Sequence, residues 1–310
     1  MNILNFGSLN IDHVYTVRHI VKPGETIAAD AYAFFAGGKG ANQSVAIARA
    51  GGKVMHVGRV GPEGQWMLEA MKEDGVDVSM VMTSAAPGGH AVIQVDGGGQ
   101  NAIVIHGGSN REIDTGHIDS ALARGCAGDF VLLQNEINNI KYIMTKAADR
   151  GMQVCFNPAP MNKEVLGYPL GRVGWFFVNE TEAEMLCGAA DPDTIIDEML
   201  RRYPAAHVIV TLGARGALYG SAEARERIEG RKVKARDTTA AGDTFIGYFL
   251  ASIQAGRKVR EALETANAAA ALSVMTAGAQ TSIPRMADVQ AFIKNGKEIN
   301  SNERYDDSTA

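Results

Sequence analysis

Cysteine is scarce: Cys126, Cys155 and Cys187 are the three in 310 residues, widely spaced, odd in number and forming no Cys-x-x-Cys pair. They offer no disulfide framework and are expected to be reduced, buried thiols of a cytosolic protein. A long apolar run is missing too. The longest uncharged segment, Thr265–Pro284, is rich in Ala, Thr, Ser and Gln and too polar to span a bilayer. The opening, Met1–Phe6, lacks the basic head and apolar run of a signal peptide and enters a strand at once, so the expected location is the cytoplasm. There is no basic face. The net charge is -5 with Lys and Arg dispersed, which argues against nucleic acid or a membrane as partner. No internal repeat or interdomain linker divides the chain, and 46% hydrophobic residues suffice for a large core.

A Walker-type phosphate loop is also absent, because Gly38-Lys39 is followed by Gly40 rather than Ser or Thr. Gly97-Gly98-Gly99 lies between two strand-like runs instead of before a helix, and reads as a hairpin turn. Another cradle is present. In Asp237-Thr238-Thr239-Ala240-Ala241-Gly242-Asp243-Thr244-Phe245, a tight Ala-Ala-Gly turn opens an apolar helix that stops at Gly256. Free backbone N–H groups at such a helix start attract an anion, and Asp243 stands at its mouth as a proton acceptor. Taken alone, Asp243 reads equally well as a helix cap.

Short apolar runs recur, each followed by a polar crest and a helix-like stretch: Ile3–Phe6, Val54–Val57, Phe130–Leu133, Gln153–Phe156, Trp175–Val178 and Val208–Leu212. This alternation predicts an α/β fold with a central, mostly parallel sheet flanked by helices. Ligands bind beyond the carboxyl ends of such strands, which singles out Asn10, Asp12, Asn135, Glu136, Asn157, Asn179, Glu182 and Thr211. Two segments, 13–35 and 89–106, are β-like and break the rhythm. They are expected to form a small β-sheet or an extension of the main one, around turns at Pro23-Gly24 and Asp96–Gln100. The α/β domain is then expected over 1–12, 36–88 and 107–300, with a flexible tail over 301–310.

The Asp237–Phe245 stretch resembles the second signature of the PfkB-type (ribokinase) family of sugar kinases. Gly37-Gly38-Lys39-Gly40-Ala41-Asn42-Gln43, about two hundred residues upstream, resembles the first. The likeness runs from Gly7 to Pro284. It implies a ribokinase-like fold with the small sheet as a lid over the sugar, pairing with a second lid in a homodimer. It implies that Asn10, Asp12, Gly38, Lys39, Asn42 and Glu136 bind sugar hydroxyls, that Asp243 is the base, and that Ala241 and Gly242 form an anion hole. Asn179 and Glu182 match the family's Asn-x-x-Glu, which organises Mg²⁺ and phosphates; on their own they read as a helix cap. Thr211, Gly213, Ala214, Arg215 and Gly216 match its nucleotide loop, and Asn267 a position near adenine. Asp237, Thr239, Ser273, Thr276, Gly278 and Ser282 match a monovalent-cation site, expected to take K⁺.

The implied function is transfer of the γ-phosphoryl of ATP to the primary hydroxyl of a pentose, D-ribose first. The alternatives are a deoxyribose, ketohexose or nucleoside kinase, or a non-catalytic sugar sensor on the same fold. Three departures from the family pattern bear on the sugar: Asn135, His90, and Thr276-Ala277 near the cation site.

Overall fold

The computed structural model describes residues 1–295; the expected tail, 301–310, lies outside them. The chain runs β1 (Ile3–Phe6), β2 (Asn10–Val17), β3 (Ala31–Gly37), α1 (Lys39–Arg49), β4 (Val54–Val60), α2 (Gln65–Glu73) and β5 (Asp77–Thr83). It continues β6 (Gly89–Asp96), β7 (Asn101–His106), α3 (Thr115–Leu122), β8 (Phe130–Gln134), α4 (Ile140–Asp149) and β9 (Gln153–Asn157). Then follow β10 (Val173–Asn179), α5 (Glu180–Cys187), α6 (Pro192–Arg202), β11 (His207–Thr211), β12 (Gly216–Gly220), β13 (Arg225–Glu229), α7 (Ala241–Gln254) and α8 (Val259–Ser273).

The main sheet has the order β13-β12-β11-β10-β9-β8-β1-β4-β5 and is parallel except for β12 and β13. Its central strands are apolar on both faces because both are covered. Ile3, Phe130, Leu132 and Phe177 pack with α1, α7 and α8, while Leu4, Phe6, Val131 and Phe176 pack with α3 to α6. The six expected strands are all present. The three others lie at the margins: β5 is one edge, β13 the other, and β12 stands just inside β13, where Gly216, Gly220 and the charged Arg-Glu-Arg-Ile-Glu disguise the strand signal. Cys155 and Cys187 are buried as expected, whereas Cys126 is exposed, since it lies in the loop after α3 and not in an element.

A second sheet of order β3-β2-β6-β7 stands apart from the first. Asp96 forms the β6–β7 turn, its Oδ1 accepting from the N–H groups of Gly98 and Gln100 at 2.9 and 3.0 Å. β2 starts at Asn10 and β3 ends at Gly37, so Asn10 and Asp12 belong to this sheet while α1 follows it directly. α1 and α7 approach closely. A Cβ on Gly247 would fall 2.4 Å from Ala46 Cβ and 2.8 Å from the Ile47 nitrogen, so a larger residue there would drive the two helices apart.

Candidate active site

α7 begins without a side-chain cap. Its N-cap is Ala240, held in the left-handed region at φ 59°, a conformation that costs an L-residue about 1–2 kcal/mol. The Ala241 N–H reaches the Thr238 carbonyl at 3.3 Å and the Thr244 N–H the Ala240 carbonyl at 2.8 Å. The N–H groups of Gly242 and Asp243 are left without a backbone acceptor at the positive end of the helix. Asp243 is therefore not a cap. Its buried carboxylate accepts from Asn42 Nδ2 at 3.0 Å on Oδ2 and from Gln43 Nε2 at 2.8 Å on Oδ1, both from α1.

Lys39 is the electrostatic hub. Its ammonium lies in the field of Asp243 above all, then of Glu136, Glu182 and Asp12, and these raise its pKa against the opposing effect of burial. Glu136 Oε2 accepts from the Lys39 N–H at 2.9 Å and from the Ser8 hydroxyl. Asp12 is different. Among the described residues it has no hydrogen-bond donor, and burial, reinforced by Glu136 and opposed by Lys39, pushes its carboxyl up to about 7. Gly37 makes room for it, since a Cβ there would lie 2.1 Å from Asp12 Oδ2. Asn10 is buried with its Oδ1 accepting from Asn110 Nδ2 at 2.7 Å. Asn42, expected to present a donor to a sugar, presents it to Asp243, and its Oδ1 has no partner among the described residues. His90 pairs with Ile11, and Ala91 with Asp12, so the His90 ring projects from the face opposite Asp12.

A cavity of about 460 Å³ opens on the other side of α7's first turn. Thr211, Gly213, Ala214 and Gly216 line it with Ala241, Gly242 and Asn267. Asn267 is anchored by its Nδ2, which donates to the Glu229 carbonyl at 2.9 Å. Arg215 does not line the cavity; its guanidinium pairs with Glu180. The sequence reading missed one wall, Arg231, Lys232, Val233 and Ala235, together with Phe245 and Val274. The available signal was the run Arg231-Lys232-Val233-Lys234-Ala235-Arg236 immediately before Asp237.

Asn179 and Glu182 form a full capping box on α5: Asn179 Oδ1 accepts the Glu182 N–H at 2.9 Å, and Glu182 Oε2 accepts the Asn179 N–H at 3.0 Å. Burial raises the Glu182 pKa. The loops carrying Asp237 and Gly278 meet directly. Asp237 Oδ2 accepts the Gly278 N–H at 2.8 Å, and its Oδ1 accepts the Thr239 N–H at 2.9 Å and hydroxyl at 2.7 Å. Burial pushes the Asp237 carboxyl up, but these donors together outweigh it and leave its pKa lowered. Ser273 and Ser282 donate their hydroxyls to the carbonyls of Ala270 and Ala279. Thr276 is exposed on the turn between them.

The sequence model of the pfkB family carbohydrate kinases matches residues 2–286. The chain is 35% identical over 301 residues to the ribokinase of Haemophilus influenzae, covering 93% of this chain and 97% of that one. It superposes on the ribokinase of Cryptococcus neoformans in complex with ADP with a TM-score of 0.83, at 32% identity over 94% of this chain and 99% of that one. The ribokinase of Arabidopsis thaliana complexed with ribose and ATP gives a TM-score of 0.83 at 28% identity, over 94% and 98%.

Proposed function

Since the chain belongs to the pfkB family of carbohydrate kinases, we propose that it moves the γ-phosphoryl of ATP to the primary hydroxyl of D-ribose, giving D-ribose 5-phosphate. The similarity to ribokinases, one solved with ribose and ATP and one with ADP, supports that pair of substrates. The observation that carries the reading is Asp243 fixed by two amides beside two free N–H groups, with a nucleotide-sized cavity beyond them.

The chemistry follows from that placement. Asp243 takes the proton of the primary hydroxyl as its oxygen attacks the γ-phosphorus, and the bond to the β–γ bridging oxygen breaks to release ADP. The Gly242 and Asp243 N–H groups face the charge that develops on the transferring group. Asp12, Lys39 and Glu136 read the sugar's hydroxyls, Asp12 with acceptor capacity that the protein does not use. Thr211, Gly213, Ala214, Gly216 and Asn267 hold the nucleotide, and the aliphatic wall around Val233 and Ala270 receives its base.

Among the described residues no three His, Cys, Asp or Glu side chains gather into a metal cluster. Mg²⁺ arriving on the triphosphate would meet Glu182, whose Oε1 lies outside the cap. There it would supply positive charge beside the phosphates. K⁺ fits between the Asp237 and Gly278 loops, which already touch and offer a carboxylate and backbone carbonyls. A homodimer through the small sheet would cover Tyr32, Phe34, Val92 and Val104, which share the face opposite Asp12 and are 38–70% exposed there.

Coupled ADP-release assays with D-ribose, 2-deoxyribose, D-fructose and adenosine test the reading. D-ribose is expected to exceed 2-deoxyribose in kcat/KM by at least about tenfold, because a missing hydroxyl leaves buried polar groups unpaired. A ribose value below any of the other three overturns the substrate assignment, and binding without ADP release makes the protein a sensor.

A further inference from the structure

Gln43 is fully buried, so no substrate atom reaches it, yet its Nε2 donates to Asp243 Oδ1 at 2.8 Å. An amide has two ends, and only the nitrogen end helps a carboxylate. Buried contacts behind Gln43 decide which end is presented. The Gly40 carbonyl can only accept, and it takes Asn5 Nδ2 at 2.8 Å, while the same nitrogen donates to Ser44 Oγ at 2.8 Å. This turns Asn5 Oδ1 toward Gln134, whose Nε2 donates to it at 3.0 Å and to Gln43 Oε1 at 2.6 Å. With its oxygen so engaged, Gln43 faces Asp243 nitrogen first, its second N–H directed to Asn157 Oδ1 at 3.4 Å.

Gln134 Oε1 is buried without a partner among the described residues. An apolar side chain of similar size would avoid that cost, so packing alone does not account for a glutamine there. What its nitrogen does is to donate twice, and the second donation orients Gln43.

We propose that Gln43 is a positioning residue for the base, and that the relay from the Gly40 carbonyl through Asn5 and Gln134 to Gln43 fixes the plane of the Asp243 carboxylate before substrate arrives. The proposal rests on reading Asp243 as the general base. Asn42 holds the other oxygen, so losing Gln43 leaves a carboxylate tethered at one oxygen and free to turn.

The test is a kinetic cycle with a structural control. Gln43→Met is expected to lower kcat about 10- to 100-fold, the scale of an ångström-sized misplacement, with KM for D-ribose within about threefold of the wild type. Gln134→Met loses less, and the double variant is no slower than Gln43→Met. In an Asp243→Asn background, Gln43→Met changes the residual rate by less than about twofold, because the group it positions is gone. A general structural role would instead cost the same factor in both backgrounds, and that result, or an unchanged kcat, overturns the proposal. Should Gln43→Met not fold, Gln134→Met passes through the same cycle. Should the wild type release no ADP with any sugar, the kinase reading fails by itself, and crystal structures of the variants decide: more than one Asp243 rotamer supports the relay, and the wild-type rotamer alone refutes it.

Discussion

At the proposed phosphoryl end of the site, Asp243 has both oxygens occupied by amide donors from α1, at 2.8 and 3.0 Å. At the proposed sugar end, Asp12 has no protein donor among the described residues, and burial beside Glu136 pushes its carboxyl up to about 7. The carboxylate proposed as the base is thus set in place by the fold, across the close α1–α7 seam. The carboxylate proposed to bind the sugar has no such partner among the described residues, and in this reading hydroxyls would supply its donors. Preorganising the first lowers the barrier of the chemical step, while leaving the second hungry makes affinity depend on the hydroxyl pattern.

The largest expected effect breaks the phosphoryl end. Asp243→Asn should fold and lose turnover by roughly two to four orders of magnitude, the range for loss of a general base; steady-state ADP release checks this, and near-normal turnover removes Asp243 from that role.

The next breaks the sugar end through pH. The Asp12 carboxyl in the folded chain lies above its ordinary value of 3.8. Its contribution to stability is therefore complete below about pH 4 and is lost as the pH rises through about 7. Asp12→Asn should be more stable than the wild type at pH 8, by on the order of 1–3 kcal/mol, and equal to it at pH 4. Urea unfolding at the two pH values reads the difference, and a gap independent of pH erases the contrast between the two ends.

Smaller effects sharpen the phosphoryl end. K⁺ should activate over Na⁺ several-fold and Asp237→Ala should weaken the response; equal rates in K⁺ and in a bulky organic cation at matched ionic strength would exclude the ion. Ala240→Gly relieves the left-handed N-cap and should stabilise by under about 1 kcal/mol, offset in part by glycine's freedom in the unfolded chain. Thermal unfolding decides, and a loss of stability would mean that the Ala240 methyl is packed rather than strained.

Much of this was legible in the residues, for physical reasons. Central strands buried on both faces must be apolar throughout, so β1, β8, β9, β10 and β11 stand out. The two glycine- and alanine-rich turns are visible in their composition, which lets backbone come close to whatever binds there. Edge strands such as Arg225–Glu229 carry charge that hides them. The spacing of Asn42 and Gln43 cannot say which face of α1 meets α7, so Asn42 was assigned a sugar and Gln43 nothing, although both serve Asp243. The wall of Arg231, Lys232, Val233 and Ala235 is signalled in the sequence by its basic run alone, and its place beside the cavity follows from the fold.

The claim that binding and chemistry rest on different carboxylates is tested most directly by calorimetric titration of D-ribose into Asp12→Asn and Asp243→Asn beside the wild type. The account predicts a Kd within about threefold of the wild type for Asp243→Asn, and at least about tenfold weaker binding for Asp12→Asn. Unimpaired binding by Asp12→Asn, or loss of binding by Asp243→Asn, would contradict it.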